Sequence, residues 1–540
     1  MNNKPICVFQ SPIWTRSGYG DWALAVAKSI YRYGKFDLHI VPTQWGACSK
    51  KTLDEESRDP DGKALLDKIV RQPLQKQPEV YIQMTIPNEY QAPGKFNIGM
   101  TAGIETTVPR AEWIEGLNRM NVNFLLSQHV KDVFAGANYT KRLPDGRTEE
   151  LKVKTPMEVA TWSADTRIYK KTDEKVATVD EALSGITESF GFLFVGQWTH
   201  GNIRSDRKAI GYLVKTFLET FANIENPPCL ILKTSGAQIC VIDRHDCITK
   251  INDVTNMVKS TMPNAKLPNV YLLHGELTDV EMNALYNHDK VKVHVSFTHG
   301  EGFGHPMLLS TLSGKPLLAP GWSGQLDFLN KDYANFLEGQ LNPVPDEALN
   351  EWFVKEARWF DVDYAKAGQK MKQVFLNYDS RLLEKAEKLR AENAEKFSAE
   401  SMDKLIHGLL DKYVPKFEIA PPLVLPKLKK LNLPGATAPN GTNVPINRGE
   451  PAKEKETSPT VVISTNKYPV DIKIENSGEE KKNVKFDDLK DIASQLQGKT
   501  IVMTRLDHKT SVIKASKIIF NVEEPVNNIQ NVLEKTFQIL

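Results

Sequence analysis

The stretch "HGEGFGHPMLLSTLSG", residues 299–314, places a glycine-rich turn between a strand-like run and a helix-like run. Before it, "KVKVHVSF" (290–297) alternates β-branched with polar residues, and after the turn the helix-like run begins with proline and ends with glycine. In an open α/β sheet such a turn lies at the carboxyl end of a strand, where the first N–H groups of the helix attract anions or hydroxyl-rich ligands. Glu301 lies in that turn, and we predict that it belongs to a ligand site.

The rest of the chain repeats this order of elements. Short β-rich runs alternate with amphipathic helical runs from Pro5 to about Val414, which predicts an α/β fold with parallel sheets in two series separated at 170–189. Proline, glycine, asparagine and lysine then dominate and predict an extended or disordered linker, before apolar periodicity returns. The predicted divisions are an N-terminal domain (1–170), a second sheet domain (190–395), a C-terminal helix returning toward the N-terminal domain (396–415), the linker (416–482) and a small α+β appendage (483–540).

The bulk composition is that of an ordinary globular protein. The 540 residues carry a net charge of +2 and five scattered cysteines. The near-balanced charge gives no reason to expect a polyanionic partner. The odd number of cysteines, without a CxxC pair, fits a reducing compartment, so we expect a cytoplasmic protein without a metal site built on cysteines. We also expect no secretory signal and no membrane span, because the sequence has neither a basic-then-apolar leader nor a long apolar run.

A second glycine-rich turn follows the first strand of the chain. In "SPIWTRSGYGDWALAVAKSI" (11–30), Ser17, Gly18, Tyr19 and Gly20 stand between a strand and a helix. Glycines there let backbone N–H groups approach a phosphate or a sugar, and the helix dipole adds to the attraction. A tight turn without a ligand is an equal alternative, since a single Gly-x-Gly is a weak signal.

Charged residues follow two further strands. Glu105 comes after a strand in "GMTAGIETT" (99–107) and is placed to face a cleft, with helix capping as the alternative role. Arg207 and Lys208 come near the start of a helix, where the macrodipole disfavours cations. A bound phosphate would reverse that penalty, and a solvated charge pair is the alternative interpretation.

The remaining candidates lie in the opening stretch and in the turn of "LLAPGWSGQLDFL" (317–329). They are Gly302, Phe303, Gly304, His305, Ser323, Gly324 and Asp327. His305 has an equal alternative as a packed residue at a helix start, and Phe303 has one in the core. The convergence of several glycine-rich turns at strand ends favours a shared ligand site.

From about residue 5 to 415 the sequence resembles, in order, the retaining nucleotide-sugar glycosyltransferases of the GT-B fold, family-4 type, and in style those of bacteriophages. That family carries Glu-Gly-Phe-Gly-x-Pro-x-x-Glu followed by a small-residue helix and Gly-x-Pro. The chain matches at Glu301, Gly302, Phe303, Gly304, Pro306, Gly314 and Pro316. The segments "SGYG", "GIETT", "EVATWSADTRIY" and "LTDVEMNALYNHDKV" fall in register with other features of the family. The resemblance implies two Rossmann-like domains facing each other across a cleft, the N-terminal one on the acceptor side and the second one binding the donor.

The resemblance also implies roles for individual residues. Lys208, with Arg207 or Arg204 as its companion, would contact the donor diphosphate together with the amides of the turn at 17–20. Glu301 and the turn after it would hold the sugar, and Asp327 stands at the acidic position of the family's Gly-Gly-x-x-Glu turn. The family's histidine of the N-terminal domain has no obvious match, and Glu105 or Asp21 would take that role.

One departure stands out, because the second glutamate of the family pattern is Leu309 here. A leucine cannot accept hydrogen bonds from the donor ribose. The activity implied is transfer of a sugar from a nucleoside diphosphate to an acceptor hydroxyl with retention, without a metal or a cofactor. The acceptor is a nucleic acid, a glycan or a protein, and for a phage enzyme the location is the host cytoplasm. The alternative is a catalytically impaired binding or structural protein on the same fold, with the appendage as a partner contact.

Overall fold

The computed structural model describes residues 4–46, 48, 60–72, 74, 76–142, 145–198, 201–236 and 239–417, and beyond them six strands between 460 and 521. The chain divides into two units, Met1–Val424 and Leu425–Leu540. The first unit contains two lobes, each built on its own six-stranded parallel sheet. Two sheet domains are therefore present, as the alternation of strand-like and helix-like runs predicts.

The N-terminal lobe comprises eight strands and four helices among the described residues. They are β1 (Ile6–Ser11), α1 (Gly18–Tyr33), β2 (Asp37–Pro42), α2 (Pro60–Leu66), β3 (Val80–Met84), β4 (Phe96–Thr101), α3 (Ala111–Asn118), β5 (Val122–Leu125), α4 (Gln128–Gly136), β6 (Tyr139–Arg142), β7 (Thr148–Leu151) and β8 (Met157–Val159). Its sheet has the order β2-β1-β3-β4-β5-β8, and β6 with β7 forms a separate antiparallel hairpin.

The C-terminal lobe follows a connector that contains a short helix. Its elements are α5 (Ala177–Ala182), β9 (Gly191–Gln197), α6 (Ile210–Thr220), β10 (Cys229–Ser235), α7 (Val241–Thr261), β11 (Val270–Leu273), α8 (Asp279–Asn287), β12 (Val291–Val295), α9 (His305–Thr311), β13 (Leu317–Pro320), β14 (Asn335–Leu337), β15 (Gly339–Pro343), β16 (Arg358–Val362), α10 (Tyr364–Leu376), α11 (Ser380–Lys396) and α12 (Ala399–Tyr413). Its sheet has the order β11-β10-β9-β12-β13-β14.

Both strand orders are doubly wound. Counted from the first strand of the lobe, the C-terminal sheet reads 3-2-1-4-5-6 and the N-terminal sheet begins 2-1-3-4-5, which are the two common orders of this class. The order reverses between β1 and β3 in one lobe and between β9 and β12 in the other. Ligands of such sheets bind outside the carboxyl ends of the strands at these switch points. The loop after β1 carries the turn at 17–20. The loop after β9 carries the cations Arg207 and Lys208, and the loop after β12 carries Glu301.

The central strands are buried on both faces. The run "GFLFVGQ" of β9 shows the near-continuous apolar sequence that a parallel strand covered by helices requires. Phe192, Phe194 and Phe217 lie in one core cluster of the C-terminal lobe. A different cluster joins the two lobes, since Trp359 of β16 packs with Trp113 and Phe134 of the N-terminal lobe.

The last helix of the first unit returns to the N-terminal lobe. In α12, Asp403 accepts a hydrogen bond from Arg32 of α1 at 2.6 Å, and Nε2 of His407 lies 2.9 Å from the carbonyl oxygen of Ser29. The last helix of the first unit thus packs against the lobe where the chain began.

The second unit contains six described strands. They are β17 (Thr460–Ser464), β18 (Val470–Ile474), β19 (Glu480–Val484), β20 (Thr500–Arg505), β21 (Thr510–Lys514) and β22 (Lys517–Asn521). β17 pairs with β22, and the other four form an antiparallel sheet in the order β19-β18-β20-β21. β17 and β18 fall inside the segment that the sequence predicts to be a linker, whereas residues 418–459 and the helical part of the predicted appendage lie outside the described residues.

Alanine substitutions at two helical glycines should change the free energy of unfolding in different ways. A Cβ added at Gly116 in α3 would lie 1.8 Å from the carbonyl oxygen of Pro87, whereas one at Gly136 in α4 meets nothing within 4 Å. We expect Gly116→Ala to lower the free energy of unfolding by roughly 1–3 kcal/mol, because α3 must move away from backbone. Gly136→Ala should be neutral or stabilising by up to about 1 kcal/mol. Denaturant unfolding of both variants checks the pair, and equal effects would contradict the packing described.

Candidate functional site

Four charged side chains from both lobes meet at the strand ends. Lys208 donates a hydrogen bond to Glu301, and Nη1 of Arg207 lies 3.6 Å from the second oxygen of Glu301. Nη2 of Arg207 lies 3.2 Å from Glu105 of the N-terminal lobe. The four side chains are largely buried, with exposed fractions between 11% and 24%. Two cations and two carboxylates from three strand-end loops therefore form one electrostatic cluster between the lobes.

The cations lie near the start of a helix, as the sequence suggests, but just outside it. α6 begins at Ile210 after Ala209, whose φ is 51°, so Arg207 and Lys208 lie in the loop before the helix. Asp206 accepts hydrogen bonds from the amides of Ile210 at 2.7 Å and Lys208 at 3.1 Å. This buried carboxylate supplies the negative charge that a helix N-terminus favours. Asp206 thus offsets the unfavourable interaction of the two cations with the dipole of α6, without a bound anion.

Burial and charge act in opposite directions on the cluster. Burial alone would raise the pKa of the Glu301 carboxyl, but the charges of Lys208 and Arg207 outweigh it, and the pKa is lowered. Burial lowers the pKa of Lys208, and the attraction to Glu301 is partly cancelled by the nearby charge of Arg207. The two cations near Glu301 outweigh its burial, so the pKa of its carboxyl falls. The carboxylate paired with Lys208 does not outweigh burial and the charge of Arg207, so the pKa of Lys208 falls as well. The carboxylate is the better satisfied member of the pair.

Glycines let the loops of the two lobes approach each other. A Cβ on Gly300 would lie 2.1 Å from the carbonyl oxygen of Glu105, and one on Gly302 would lie 2.7 Å from that of Ala102. A Cβ on Gly324 would lie 2.2 Å from the carbonyl oxygen of Gly302. Gly304 precedes α9 with a φ of 90°, a conformation that favours glycine. Gly302 and Gly324 therefore permit close backbone contact at the site, and Gly304 permits the left-handed conformation before α9.

The turn at 17–20 caps α1. The hydroxyl of Ser17 accepts a hydrogen bond from the amide of Gly20 at 3.0 Å, and a Cβ on Gly20 would lie 2.0 Å from the carbonyl oxygen of Thr15. The ring of Tyr19 stacks on Trp45 at 4.0 Å between centroids, and its hydroxyl lies 2.9 Å from that of Thr101. Gly18 and Tyr19 are the first residues of the helix, and their amides have no intrahelical acceptor within reach.

The other predicted residues take separate places. His305 stacks on Trp162 of the connector, with 3.6 Å between centroids and 4° between planes. Phe303 is 2% exposed and belongs to the core, so its side chain does not face a ligand. Arg204 pairs with Glu347 at 3.1 Å, and Asp327 accepts a hydrogen bond from the first amide of α4 at 3.0 Å. None of these contacts joins the Lys208 cluster among the described residues.

Ser323 and Asp21 complete the predicted set. The hydroxyl of Ser323 accepts a hydrogen bond from the amide of Glu301 at 2.9 Å, so this serine fixes the backbone that carries the carboxylate. Asp21 lies in the first turn of α1, where a negative charge favours the helix. Ser323 therefore supports the cluster indirectly.

Sequence reasoning missed several aromatic and histidine side chains in and around the glycine-rich turns. The buried ring of His299 stacks on Trp359, with 4.1 Å between centroids, and Trp322 lies edge-on to His129 at 4.9 Å. Trp162 contacts both His305 and Phe303. The tryptophans near the glycine-rich turns were the available signal, since tryptophan buries a large apolar surface and is enriched at interfaces.

The described residues contain neither a metal-binding group of side chains nor a membrane-spanning helix. No group of three or more histidine, cysteine or carboxylate side chains there is arranged to hold a metal ion. No helix within the same residues has the length and apolar character needed to cross a membrane. Independence from a metal stays a prediction.

The fold is shared with solved glycosyltransferase structures. No known protein family matches the sequence, and no curated protein matches it either. A glycosyltransferase from Rickettsia africae aligns over 77% of this chain and 100% of its own, at 12% identity and a TM-score of 0.51. Anabaena HepE in complex with UDP and glucose aligns over 76% of this chain and 100% of its own, at 12% identity and a TM-score of 0.49. The alignment with the Rickettsia protein supports the two-lobed GT-B fold that the sequence predicts.

The acid sensitivity of the protein should depend on His129. Burial lowers the pKa of His129 to about 4 from an ordinary 6.5, against smaller opposite effects of Ile104 and Asp132. The unfolded chain therefore binds more protons between these values, so the free energy of unfolding falls as the pH drops from 6.5 to 4, by at most ~3 kcal/mol from this group. We expect His129→Gln to flatten the unfolding profile over that range.

The exposed His245 on α7 provides the matched control. His245→Gln should leave the acid profile as in the wild type, measured by urea unfolding at intervals between pH 4 and 7. Parallel profiles for wild type and His129→Gln would show that burial of this ring does not affect stability in acid.

Proposed function

We propose that the protein is a glycosyltransferase that moves a sugar from a nucleoside diphosphate donor to an acceptor hydroxyl, with retention and without a metal ion. The observation that carries the proposal is one charged cluster between the lobes. Lys208, Arg207 and Glu301 lie at the switch point of the C-terminal sheet, and Glu105 of the N-terminal lobe meets them there. Support comes from the shared fold of the Rickettsia africae protein, which is named a glycosyltransferase.

The cluster suits a diphosphate because its charges can exchange partners. Without a ligand, each cation is held by a carboxylate at ion-pair distance. In the proposed complex the diphosphate oxygens accept hydrogen bonds from Lys208 and Arg207, and the two carboxylates accept hydrogen bonds from sugar hydroxyls. A buried carboxylate that loses a cation but gains hydroxyl donors does not remain unsatisfied, so the exchange avoids the main cost of breaking a buried pair.

The chemical step breaks the bond between the anomeric carbon and the diphosphate oxygen. The electron pair stays on the diphosphate, whose growing charge is stabilised by the two cations and by the amides of Gly18 and Tyr19. The acceptor oxygen bonds to the anomeric carbon on the face that the diphosphate leaves. The acceptor proton passes to the departing phosphate oxygen, so that no separate enzymatic nucleophile takes part.

The proposed acceptor rests on two features of the sequence. The lysine- and asparagine-rich composition and the compact "GIETT" segment favour a bacteriophage enzyme that acts in the host cytoplasm on a DNA base or a glycan. The proposed donor is held mainly by the C-terminal lobe, and the acceptor enters from the side of Glu105. The second unit is proposed to contact a partner or the acceptor.

A second candidate function is binding without transfer. Leu309, at the position of the family's second glutamate, is 7% exposed and packs in the main apolar cluster. The donor ribose therefore lacks the carboxylate that holds it in the family, and weak donor binding without turnover would follow. Donor binding and release of nucleoside diphosphate therefore distinguish the two functions.

Thermal shift with UDP-, GDP-, ADP- and dTDP-sugars tests the proposal. A donor that binds the folded state raises the melting temperature by mass action. We expect Lys208→Ala to weaken donor affinity roughly 10- to 100-fold, because a hydrogen bond to a charged group contributes about 1.5–3 kcal/mol. Release of nucleoside diphosphate should fall by at least as much.

The control is Lys215→Ala, since Lys215 pairs with Glu219 within α6 and lies outside the cluster. It should bind donors as the wild type does. A shift without release of nucleoside diphosphate would select the binding function, and no shift with any donor at millimolar concentration would contradict both functions.

A further inference from the structure

A hairpin inserted between β14 and α10 contacts the loops of the site. We call residues 339–362 the interlobe hairpin; it contains β15, β16 and the segment between them. In β16, the alternate residues Trp359 and Asp361 lie opposite Asn342 and Gln340 of β15. Arg358 and Phe360 direct their backbone groups to the other edge, since hydrogen-bonding groups of a strand alternate in direction. This second edge of β16, which does not pair with β15, contacts both lobes.

One end of the edge bonds to the loop that carries Glu301. The amide of Phe360 donates to the carbonyl oxygen of His299 at 3.0 Å, and the ring Nδ1 of His299 lies 2.8 Å from the carbonyl oxygen of Phe360. The amide of His299 donates to the carbonyl oxygen of Arg207 at 2.9 Å. His299 thus joins β16 directly to the loop of the two cations and stands two residues before Glu301.

The other end of the edge bonds to the loop that carries Glu105. The amide of Thr107 donates to the carbonyl oxygen of Arg358 at 3.0 Å, and the amide of Arg358 donates to the hydroxyl of Thr107 at 2.9 Å. Arg110 adds a hydrogen bond to the carbonyl oxygen of Glu351 at 2.6 Å. The interlobe hairpin is therefore bonded to the N-terminal lobe two residues away from Glu105.

The ring of His299 is buried and fixed by stacking and by its Nδ1. It is 2% exposed, stacks on Trp359, and its Nδ1 lies 3.0 Å from Asp361, whose other oxygen accepts a hydrogen bond from Asn342. A carbonyl oxygen only accepts hydrogen bonds, so Nδ1 must be the donor to Phe360. Nε2 is buried without a partner in the structure. The bond through Nδ1 therefore decides the orientation of the ring.

We infer that the interlobe hairpin sets the spacing between Glu105, Arg207 and Glu301, and that His299 is the positioning residue through which it acts. Successive residues along one strand edge fix the loops of both lobes, so the carboxylates and cations meet in one geometry. The effect on turnover rests on the proposed function, whereas the effect on loop order does not.

Paired substitutions at His299 test the inference. The side-chain amide of asparagine reaches the position of Nδ1, and that of glutamine reaches the position of Nε2. We expect His299→Asn to keep kcat within about 3-fold, and His299→Gln to lower kcat roughly 10- to 100-fold with KM little changed, since a small misplacement of catalytic groups acts on the chemical step. Thr107→Val, which removes the acceptor for the amide of Arg358, should lower kcat in the same way.

Hydrogen exchange provides a readout that does not need turnover. Peptides covering residues 203–209 and 296–303 should exchange at least roughly 10-fold faster in His299→Gln than in the wild type, with His299→Asn close to the wild type, because loops that are bonded less firmly to β16 open more often. If the wild type releases no nucleoside diphosphate from any donor, the proposed function fails and exchange alone decides this inference.

His407→Leu is the matched control, because His407 also bonds a backbone carbonyl oxygen of another element but lies on α12 away from the cluster. It should lower the melting temperature and leave kcat and the two peptides unchanged. Equal exchange in wild type, His299→Asn and His299→Gln would overturn the inference, as would an asparagine variant that is impaired as severely as the glutamine variant.

Discussion

The arrangement of the first unit depends on the cost of burying Arg207 and Lys208. A buried cation without a partner is several kcal/mol less stable than one in water, so each must meet a carboxylate. Glu301 comes from the neighbouring strand end and Glu105 from the other lobe. Glu105 reaches Arg207 because the loops of the two lobes approach closely. Gly300 and Gly302 permit this approach, since a Cβ at these positions would lie 2.1 and 2.7 Å from carbonyl oxygens of the N-terminal lobe, and Gly324 permits close contact with Gly302 inside the C-terminal lobe.

Much of the architecture could be predicted from the sequence because its signals are local. The apolar runs of β1, β9 and β12 and the glycines that follow them indicate parallel strands that end in ligand-binding turns, and the structure places these turns at the switch points. The partners of the charged residues could not be predicted in this way. Glu105 as the partner of Arg207 depends on a contact between distant segments, for which no periodicity exists, and Asp206 bonds the amide of Ile210 through an irregular turn that has no periodic signal either.

The same distinction applies to the loop before α6 and to the segment 416–482. The sequence places Arg207 and Lys208 near the start of a helix, and α6 begins at Ile210 because Ala209 takes a left-handed conformation that no sequence pattern indicates. Within 416–482, which the sequence predicts to be a linker, β17 and β18 are strands, because short β-branched runs such as "TVVIS" form strands when another segment pairs with them. Leu309 fits the local pattern, since it lies in the apolar part of α9, where residues 307–311 are all buried.

The two lobes are held together unequally along their boundary. On the side of the interlobe hairpin, Trp113, Trp352 and Trp359 bury aromatic surface and the backbone of β16 bonds to both loops. On the side of β11, one contact is the pair of Arg16 and Glu276, which lie 3.1 Å apart and are 37% and 44% exposed. An exposed ion pair contributes about 0–1 kcal/mol, whereas burial of a single large aromatic side chain contributes about 1.5–3 kcal/mol. Of these two contacts, the aromatic one on the hairpin side therefore contributes more to holding the Glu105 and Glu301 loops at their spacing.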